Sequence, residues 1–373
     1  MSAAAHLGEQ VKSMAKALGA DVVGISEARA TPESRHFGDW LAQGYAGNMS
    51  YLGATKAKRE DPATLFPGAR SMIVVGLVYE EGDDVPATDR SAEGQGDRAG
   101  EDAPFVDPDS LARIARYAVG DDYHDVLGDR LRALAAGVEA LVDGPVVSRY
   151  YVDTGPVIER VAAAYAGLGW IGKNTCLINP DLGSYLFLGV LVTDLELVAD
   201  EPIEDLCGTC TACLEACPTG ALLGPRLMDA TRCIAYTTIE DPGPIAPALR
   251  EAHGELIYGC DICQEVCPWN YRRARKTPED PLGLRTRLAS RPQWIEPSLK
   301  WILELDESAW QKATRKSAMR RSKRRGLLRN ALVAAGNSGD RSLRPQVEIL
   351  ANGDDAMLAE HAQWAIERLD ALG

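Results

Sequence analysis

The sequence has no apolar run long enough to cross a lipid bilayer. Its longest apolar stretch, residues 72–79, has eight residues, whereas a membrane-spanning helix needs about 20. The first ten residues, MSAAAHLGEQ, contain neither the basic segment nor the apolar segment of a secretory signal. We therefore expect no membrane partner and no export, which places the chain in the cytoplasm.

Acidic residues are absent from one stretch of an otherwise acidic chain. The net charge is −14, which by itself argues against a nucleic-acid partner. Residues 80–104 supply half of that charge and predict a solvated acidic loop, whereas residues 311–330 contain no acid. Because like charges repel unless phosphates neutralise them, we interpret the second stretch as a basic helix that binds phosphate groups rather than as an ordinary solvated surface. Its nine cations are Lys312, Arg315, Lys316, Arg320, Arg321, Lys323, Arg324, Arg325 and Arg329, and Arg272, Arg273, Arg275 and Lys276 would extend the same surface.

Cysteine is plentiful, and its spacing is the most informative pattern in the chain. Seven of the nine cysteines form two runs, CxxCxxCxxxCP and CxxCxxxCP. This is the bacterial pattern for paired 4Fe–4S clusters, in which three closely spaced thiolates bind one cluster and the cysteine before proline binds the other. The predicted ligands are Cys207, Cys210, Cys213 and Cys267 for one cluster, and Cys217, Cys233, Cys260 and Cys263 for the other.

Two cysteines lie outside the runs. Cys233 precedes Cys260 by 27 positions, so its assignment depends on the eight thiolates that two clusters need. Cys176 is left over, and we interpret it as a small buried side chain.

Zinc or disulfides fit the runs less well, because zinc sites favour two separated pairs of ligands. Clusters bound by thiolates also favour a reducing compartment.

Three regions follow one another along the chain. Residues 1–195 alternate helix and strand patterns and predict an α+β domain with a sheet core. The expected strands are at 21–26, 71–79, 145–152 and 184–195, and the expected helices are around 11–18, 110–142 and 157–168. Residues 196–275 hold the cluster cysteines, so we expect their folding to depend on the clusters. Residues 276–373 have leucine and alanine spacings that suit the paired helices of a solenoid-like repeat.

Several segments resemble the epoxyqueuosine reductase (QueG) family. They are YVDTGPVIER at 151–160, GLGWIGKNT at 167–175, GSYLFLG at 183–189 and GCDICQEVCPWN at 259–270. Further matching segments are REDPATLFPGARS at 59–71, RYAVGDDYH at 116–124, SAMRR at 317–321 and Arg329-Asn330-Ala331. The resemblance covers nearly the whole chain. The long acidic loop departs from the pattern and is expected to be a tolerated surface insertion.

The resemblance implies a cobalamin-dependent reductase that removes the epoxide oxygen of epoxyqueuosine at the wobble base of a tRNA anticodon. The product is queuosine, and the reaction is the last step of its biosynthesis. The implied fold has a cobalamin-binding domain related to reductive dehalogenases, a ferredoxin-like module with two 4Fe–4S clusters and a HEAT-like helical domain. These match the three regions above. The basic helix at 311–330 would bind the backbone of this tRNA. Electrons would come from an unidentified donor, and we expect a monomer.

The resemblance also implies a proton donor. Opening an epoxide builds negative charge on oxygen, which needs a proton from a nearby acid. Asp153 matches the family's proton donor, although an aspartate before a Gly-Pro turn can also simply cap the turn. Because an ordinary aspartate is ionised at neutral pH, this role requires either a pKa raised by burial under the corrin or a proton relay.

Other polar residues in the matching segments are candidates for binding the corrin amides, the nucleotide tail or the modified base. With Asp153, the candidates are Arg59, Tyr117, Tyr123, His124, Lys173, Asn174, Thr175 and Ser184. His124 could equally be an ordinary polar residue at a helix start. The chain has no DxHxxG segment, the usual sign of a cobalt-binding histidine, which suits a cobalamin without a histidine ligand.

Two other classes of protein would contain some of the same cofactors. A small-molecule reductase resembling the reductive dehalogenases would share the cofactors, but it would have no need of the basic stretch at 311–330. A ferredoxin-type electron-transfer protein would leave the first 195 residues unexplained, because clusters carry electrons and leave the bond-making to another part of the protein. Cobalamin binding and tRNA turnover separate the three hypotheses.

Overall fold

The computed structural model describes residues 2–79, 111–271 and 278–372. The predicted acidic loop at 80–104 and the cations Arg272, Arg273, Arg275 and Lys276 lie outside the described residues. Within the described ranges, no helix combines the length and the apolar character that crossing a membrane requires.

The described residues form short strands and helices that follow the three regions of the sequence. The strands are β1 (Val22–Glu27), β2 (Ser71–Val78), β3 (Arg113–Ile114), β4 (Ser148–Tyr151), β5 (Trp170–Ile171), β6 (Leu177–Ile178), β7 (Leu186–Thr193), β8 (Leu222–Gly224), β9 (Leu227–Met228) and β10 (Leu256–Tyr258). The α-helices are α1 (Ala3–Ala17), α2 (Pro32–Ala42), α3 (Ser50–Ala54), α4 (Lys56–Glu60), α5 (Tyr123–Ala140), α6 (Glu159–Tyr165), α7 (Ala212–Ala216), α8 (Pro247–Arg250), α9 (Ile262–Glu265), α10 (Leu284–Leu288), α11 (Leu299–Leu303), α12 (Glu307–Ala313), α13 (Lys323–Ser338), α14 (Arg344–Ala351) and α15 (Ala356–Leu372). A π-helix covers Tyr236–Glu240, and a 3-10 helix covers Ala318–Ser322.

An antiparallel sheet in the order β1-β2-β7-β4 forms the centre of the first region. Side chains alternate between its two faces, as they do in any strand. Ile73 and Val75 of β2 pack in the core that contains α1 and α5, whereas Met72 and Val74 pack in the core that contains α6. All of β2 is therefore buried. Close packing explains Gly24 of β1, where a Cβ would lie 1.9 Å from a backbone oxygen just after α6.

The helix predicted over 110–142 is shorter than expected. It begins only at Tyr123, because Asp122 caps its first turn by accepting a hydrogen bond from the backbone N–H of His124 over 3.0 Å. Upstream, β3 pairs in parallel with β10. Gly120 lies against the end of α10, where a Cβ would be 2.1 Å from the carbonyl oxygen of Leu288. The helix prediction is therefore wrong for residues 111–122, where tertiary pairing decides the conformation.

The third region is helical and packs on both of the others. α13 packs against α15 and α14 against α15, and their apolar faces share one core with β10 of the cluster region. α10 instead packs on the core of the first region, where Arg285 forms a buried ion pair with Asp21 at 3.0 Å. The paired arrangement suits a helical repeat, but a HEAT-like repeat in particular stays a prediction.

Candidate active site and cluster ligands

Four of the predicted cluster ligands surround one cavity. It has a volume of about 280 Å³, and its lining includes Cys207, Cys210, Cys213 and Cys267. The indole Nε1 of Trp170 donates a hydrogen bond to the sulfur of Cys207 over 3.4 Å. Although Cys267 is distant in sequence, the fold places it with the first run, in the grouping that the crossover rule predicts.

The other four predicted ligands also lie together. Burial raises the pKa of the Cys260 thiol to about 12, and the thiols of Cys233 and Cys217 contribute to the increase. The contact with Cys176, followed by burial, raises the pKa of Cys263, and the thiols of Cys260 and Cys233 contribute further. The four thiols are therefore close enough to interact electrostatically, as the ligands of a shared cluster must be.

The insertion between Cys233 and Cys260 folds back on itself. The π-helix follows Cys233, and β10 ends two residues before Cys260. The side-chain amide of Asn330 in α13 donates one hydrogen bond to the carbonyl of Thr238 in the π-helix and another to the carbonyl of Ile257 in β10, each 2.8 Å long. These two hydrogen bonds link the two ends of the insertion, which brings Cys233 and Cys260 close together.

Cys176 lies against the second group of thiols. Its sulfur is in hydrogen-bond contact with that of Cys263. Its backbone N–H donates to Asn174 Oδ1 over 3.2 Å, and Asn174 Nδ2 donates to the carbonyl of Cys263 over 3.1 Å. The loop between β5 and β6 is therefore a direct contact between the sheet region and the second thiol group. Cys176 is partly buried, and its contact with Cys263 was not predicted from the sequence.

Asp153 lies in a tight turn after β4. Its φ is +57°, in the left-handed region that Asp and Asn tolerate better than most residues. Arg59, only 8% exposed, supports the turn from behind by donating to the carbonyls of Gly155 over 2.9 Å and Val157 over 3.0 Å. The Asp153 side chain itself is 66% exposed. The hydrogen bonds from Arg59 therefore fix the turn, and the turn leaves the Asp153 carboxylate exposed.

Tyr123 and His124, the first residues of α5, adjoin that carboxylate. Tyr123 donates through its hydroxyl to Asp153 Oδ2 over 2.9 Å, and His124 Nε2 lies 3.6 Å from the same oxygen. His124 Nδ1 is 2.7 Å from Asp122 Oδ1. The Tyr123 ring stacks on the His124 ring and on Phe187, with centroid distances of 4.1 and 4.4 Å. Both rings are therefore fixed in position beside Asp153.

The proton of this site is on His124 rather than on Asp153. Burial alone would raise the pKa of Asp153, but the interactions with His124 and Tyr123 outweigh it, so the pKa is lowered. Burial would lower the pKa of His124, but Asp122 and then Asp153 raise it to about 9. A pKa raised by burial of Asp153 under the corrin stays a prediction. The geometry fits the other expectation, a proton relay.

Glu159, the first residue of α6, is a second carboxyl group near Asp153. Burial, followed by the charge of Asp153, raises its pKa to about 8. Among the described residues, its buried Oε1 has no hydrogen-bond partner. Glu159 belongs to a segment that carries the family resemblance, but nothing in the sequence pattern indicated that its carboxyl would be buried.

Known proteins match this chain over nearly its whole length, and family models match two parts of it. Residues 59–154 match the family described as "Epoxyqueuosine reductase QueG, DUF1730", and residues 206–270 match the "4Fe-4S double cluster binding domain". An epoxyqueuosine reductase of Gloeobacter violaceus is 42% identical over 334 residues, which are 89% of this chain and 96% of that protein. The chain belongs to the epoxyqueuosine reductase family. A second relative, an epoxyqueuosine reductase of Xanthomonas campestris pv. campestris, is 38% identical over 360 residues, which are 96% of this chain and 94% of that protein.

A solved structure agrees with this assignment. It is an epoxyqueuosine reductase with an epoxyqueuosine-modified tRNA-Tyr stem loop, and it matches with a TM-score of 0.83 and 29% identity over 98% of this chain and 90% of that one. The predicted membership of the epoxyqueuosine reductase family is confirmed, and so is the double 4Fe–4S cluster domain.

Most other residues predicted to bind the corrin or the modified base have protein partners. Besides Arg59 and Asn174, these are Lys173, which donates to the carbonyls of Gly208 and Cys210; Ser184, which donates to Gln264; Thr175, which accepts from Arg160; and Tyr117, which is partly buried beside Tyr258. Several of them join the sheet region to the cluster region. Of the predicted set, Tyr123, His124 and Asp153 meet at the open site.

The basic stretch of this chain does not form the single helix that we predicted. α12 ends at Ala313, the 3-10 helix follows, and α13 begins at Lys323. Lys316 and Lys323 have φ values of +52° and +57°, which interrupt a helical path. The stretch is therefore a folded corner with two short elements and the start of a longer helix.

The cations of this corner fall into two groups. Those with protein partners are Arg321 (Glu240), Arg325 (Asp355), Arg324 (the Leu305 carbonyl) and Arg329. Those that are exposed and form no ion pair with any described residue are Lys312, Arg315, Lys316, Arg320 and Lys323. The second group remains available for phosphate contacts.

Arg329 does not fit the tRNA-binding role predicted for it. It is 1% exposed, and its guanidinium donates to the backbone carbonyls of Asp241, Gly243 and Thr237. Burial lowers its pKa to about 10, so it stays charged at neutral pH. Its role is to bind the carbonyl groups that follow Cys233, which a charge count along the sequence cannot reveal.

We expect Arg329→Ala to destabilise the protein rather than to weaken tRNA binding specifically. The change leaves three carbonyls without their partner, and each unsatisfied buried group costs about 1–3 kcal/mol. The anaerobic melting temperature should fall by roughly 5–10 °C. Lys323→Ala, an exposed cation in the same corner, should change it by no more than about 2 °C. An Arg329→Ala protein with the wild-type melting temperature would contradict this role.

Proposed function

We propose that this chain reduces epoxyqueuosine to queuosine at the wobble position of tRNA, the final step of queuosine biosynthesis, using cobalamin and two 4Fe–4S clusters. The observation that carries the proposal is the Asp153 site. An exposed carboxylate there accepts a hydrogen bond from Tyr123 and adjoins a protonated His124. Membership of the family indicates the reaction, and this geometry offers the proton that the reaction needs.

The proton relay has a defined direction. Removing an epoxide oxygen as water consumes two electrons and two protons, and the breaking C–O bond leaves negative charge on oxygen. His124 would give its Nε2 proton to Asp153, the exposed group that passes it to this oxygen, and solvent would supply the second proton. Asp122 stabilises the histidine cation and fixes the ring so that Nε2 points to Asp153. Arg59 keeps the turn in place throughout.

The residues at this site fit the cobalamin that the family resemblance implies. When bound, cobalamin supplies a reduced cobalt that delivers electrons to the epoxide carbon. The buried Nε2 of His124 has no partner within hydrogen-bond distance among the described residues, and the Asp153 carboxylate is exposed. Asp153, Tyr123 and His124 would therefore lie against the bound cofactor. Arg59, Lys173, Asn174 and Ser184 would act indirectly, by fixing the surrounding loops.

The two groups of thiols would bind the clusters that carry electrons to this site. We assign Cys207, Cys210, Cys213 and Cys267 to the first cluster, and Cys217, Cys233, Cys260 and Cys263 to the second. Cys210 is exposed, so an external donor would reach the first cluster. Cys263 contacts the β5–β6 loop of the sheet region through Cys176 and Asn174. Electrons would therefore enter at the first cluster and leave from the second.

The exposed cations at the folded corner would bind the phosphates of the tRNA. The relative solved with a modified stem loop makes tRNA the expected partner. Lys312, Arg315, Lys316, Arg320 and Lys323 offer positive charge that no described acid neutralises. The wobble base lies in a loop, so it can leave its stack at little cost and enter the Asp153 site. We also propose that the chain acts as a monomer in the cytoplasm.

We expect the single-turnover rate to fall as pH rises through about 9, because His124, with its pKa raised to about 9, loses its proton in that range. The rate should be measured with saturating stem loop from pH 6.5 to 10. His124→Gln should be slow at every pH and should lack the fall near 9. Glu159→Gln is the matched control, since it removes the other group of the site that titrates at alkaline pH, near 8. A wild-type rate that stays constant from pH 8 to 10 would exclude His124 as the proton source.

A complementation experiment tests the proposed function in cells. The chain would be expressed in a bacterial strain that lacks its own epoxyqueuosine reductase, and digested tRNA would be analysed by mass spectrometry. We expect queuosine to replace epoxyqueuosine with the wild-type chain and epoxyqueuosine to persist with Asp153→Asn. Persistence of epoxyqueuosine with an expressed, cluster-loaded wild-type chain would contradict the proposal.

A further inference from the structure

An exposed aromatic side chain, Tyr51, lies where the three regions of the protein meet. It belongs to α3 of the sheet region, and its ring is 43% exposed. Its hydroxyl lies 3.4 Å from Glu240 Oε2 in the π-helix of the cluster region. Arg321, from the 3-10 helix of the third region, has its guanidinium carbon 5.7 Å from the centre of the tyrosine ring. Three distant segments therefore converge on one aromatic ring.

The partners of Tyr51 are themselves held in place. Arg321 donates to both carboxylate oxygens of Glu240, over 3.2 and 2.8 Å. Just before α3, the N–H of Asn48 donates to the hydroxyl of Tyr236 in the π-helix over 2.7 Å. Gly47 has φ +54°, and a Cβ there would lie 2.3 Å from that hydroxyl. The ring is thus presented by a closely packed junction rather than by a loose surface loop.

Tyr51 is also close to the site of proton transfer. Burial and then the charge of Glu240 raise its pKa to about 12, with Asp153 among the further contributors. The hydrogen bond to Glu240 raises the pKa of Arg321, to which Asp153 also contributes. Both side chains therefore lie within electrostatic reach of the Asp153 carboxylate.

We propose that the ring of Tyr51 is the surface on which the modified base stacks when it leaves the anticodon loop to reach Asp153. This inference rests on the proposed function. A base that leaves its stack is commonly received by an aromatic or guanidinium plane, and Tyr51 with Arg321 offers both. Glu240 would hold the side chains of Tyr51 and Arg321 in position, so it is a positioning residue. The ring would contribute to base binding and the exposed cations to phosphate binding, so the two contributions can be separated.

The test compares two stem loops on the full chain loaded with clusters and cobalamin. One carries epoxyqueuosine at the wobble position, and the other has an abasic site there; their dissociation constants would be measured by fluorescence anisotropy. Tyr51→Leu should weaken binding of the first loop by roughly 5- to 150-fold, the range for loss of one aromatic stack. Binding of the abasic loop should change by less than about twofold, because its phosphate contacts are intact. Tyr51→Phe keeps the ring and should bind both loops within about threefold of wild type.

Tyr150→Leu is the matched control. Tyr150 is 37% exposed and has Arg132 5.9 Å from its ring centre, but it lies on β4 against α5. Its replacement should leave both affinities unchanged. Tyr51→Gln keeps a polar group near Glu240 but has no ring, so we expect the same loss of binding as for Tyr51→Leu. If Tyr51→Leu does not fold, Tyr51→Gln tests the role of the ring in its place.

The outcomes separate this inference from the proposed function. If the wild-type chain reduces epoxyqueuosine but the ring-free variants bind the modified loop normally, or weaken both loops equally, Tyr51 is not the stacking surface. If the wild-type chain, shown to hold clusters and cobalamin, reduces no epoxyqueuosine, the proposed function fails and this inference fails with it.

Discussion

Asp153→Asn should lower the single-turnover rate of epoxyqueuosine reduction by about 10²–10⁴, the usual contribution of a positioned proton donor. The amide cannot pass a proton from His124 to the substrate oxygen. Asparagine tolerates the left-handed backbone that Asp153 adopts, so the turn and its support by Arg59 should be preserved. The rate would be measured with stem loop already bound and the clusters already reduced.

Asp129→Asn is a suitable control for this experiment. Asp129 is an exposed aspartate on α5 that pairs with Arg132 over 2.9 Å, away from the site. It should leave the rate unchanged, and both variants should bind the stem loop as the wild type does. An Asp153→Asn rate within about threefold of wild type would remove Asp153 from the proton path.

Cys233→Ala should remove the second cluster and abolish turnover. Two 4Fe–4S clusters contain about eight iron atoms per chain, so the variant should retain about four. Without the second cluster, electrons would have no route from the first thiol group to the β5–β6 loop. Iron and acid-labile sulfide would be quantified on anaerobically purified protein, and electron paramagnetic resonance would show whether one or two clusters can be reduced.

Cys176→Ala is the matched control for Cys233, because both cysteines lie outside the two runs and near the same thiols. Cys176→Ala should keep about eight iron atoms. The reverse pattern, with full iron content in Cys233→Ala and half in Cys176→Ala, would exchange the roles of these two residues.

The cluster ligands were predictable because their pattern is local. Seven of the cysteines follow fixed spacings, and Cys233 follows from the number of thiolates that two clusters require. The strands were also predictable, since β2 and β7 are continuous apolar runs between polar turns. The contact of Cys176 with Cys263 was not predictable, because it depends on how the β5–β6 loop meets another region.

The electrostatics of the site required the folded structure. Asp153 is followed by a turn in the sequence, which says nothing about the histidine and tyrosine that lower its pKa. Arg329 looks like its basic neighbours until its burial is known. Tyr51 and Glu240 are 189 positions apart and meet only where all three regions converge. Local pattern therefore identified the chemistry, whereas long-range packing determined which side chains can carry it out.

The most direct test of the account is turnover by the purified protein. The chain would be reconstituted anaerobically with iron, sulfide and cobalamin, reduced, and mixed with tRNA that carries epoxyqueuosine; the digested nucleosides would then be analysed by mass spectrometry. We expect epoxyqueuosine to be converted to queuosine, and conversion to stop when cobalamin is omitted or Asp153 is replaced by asparagine. Intact epoxyqueuosine after incubation with protein shown to hold cobalamin and both clusters would contradict it.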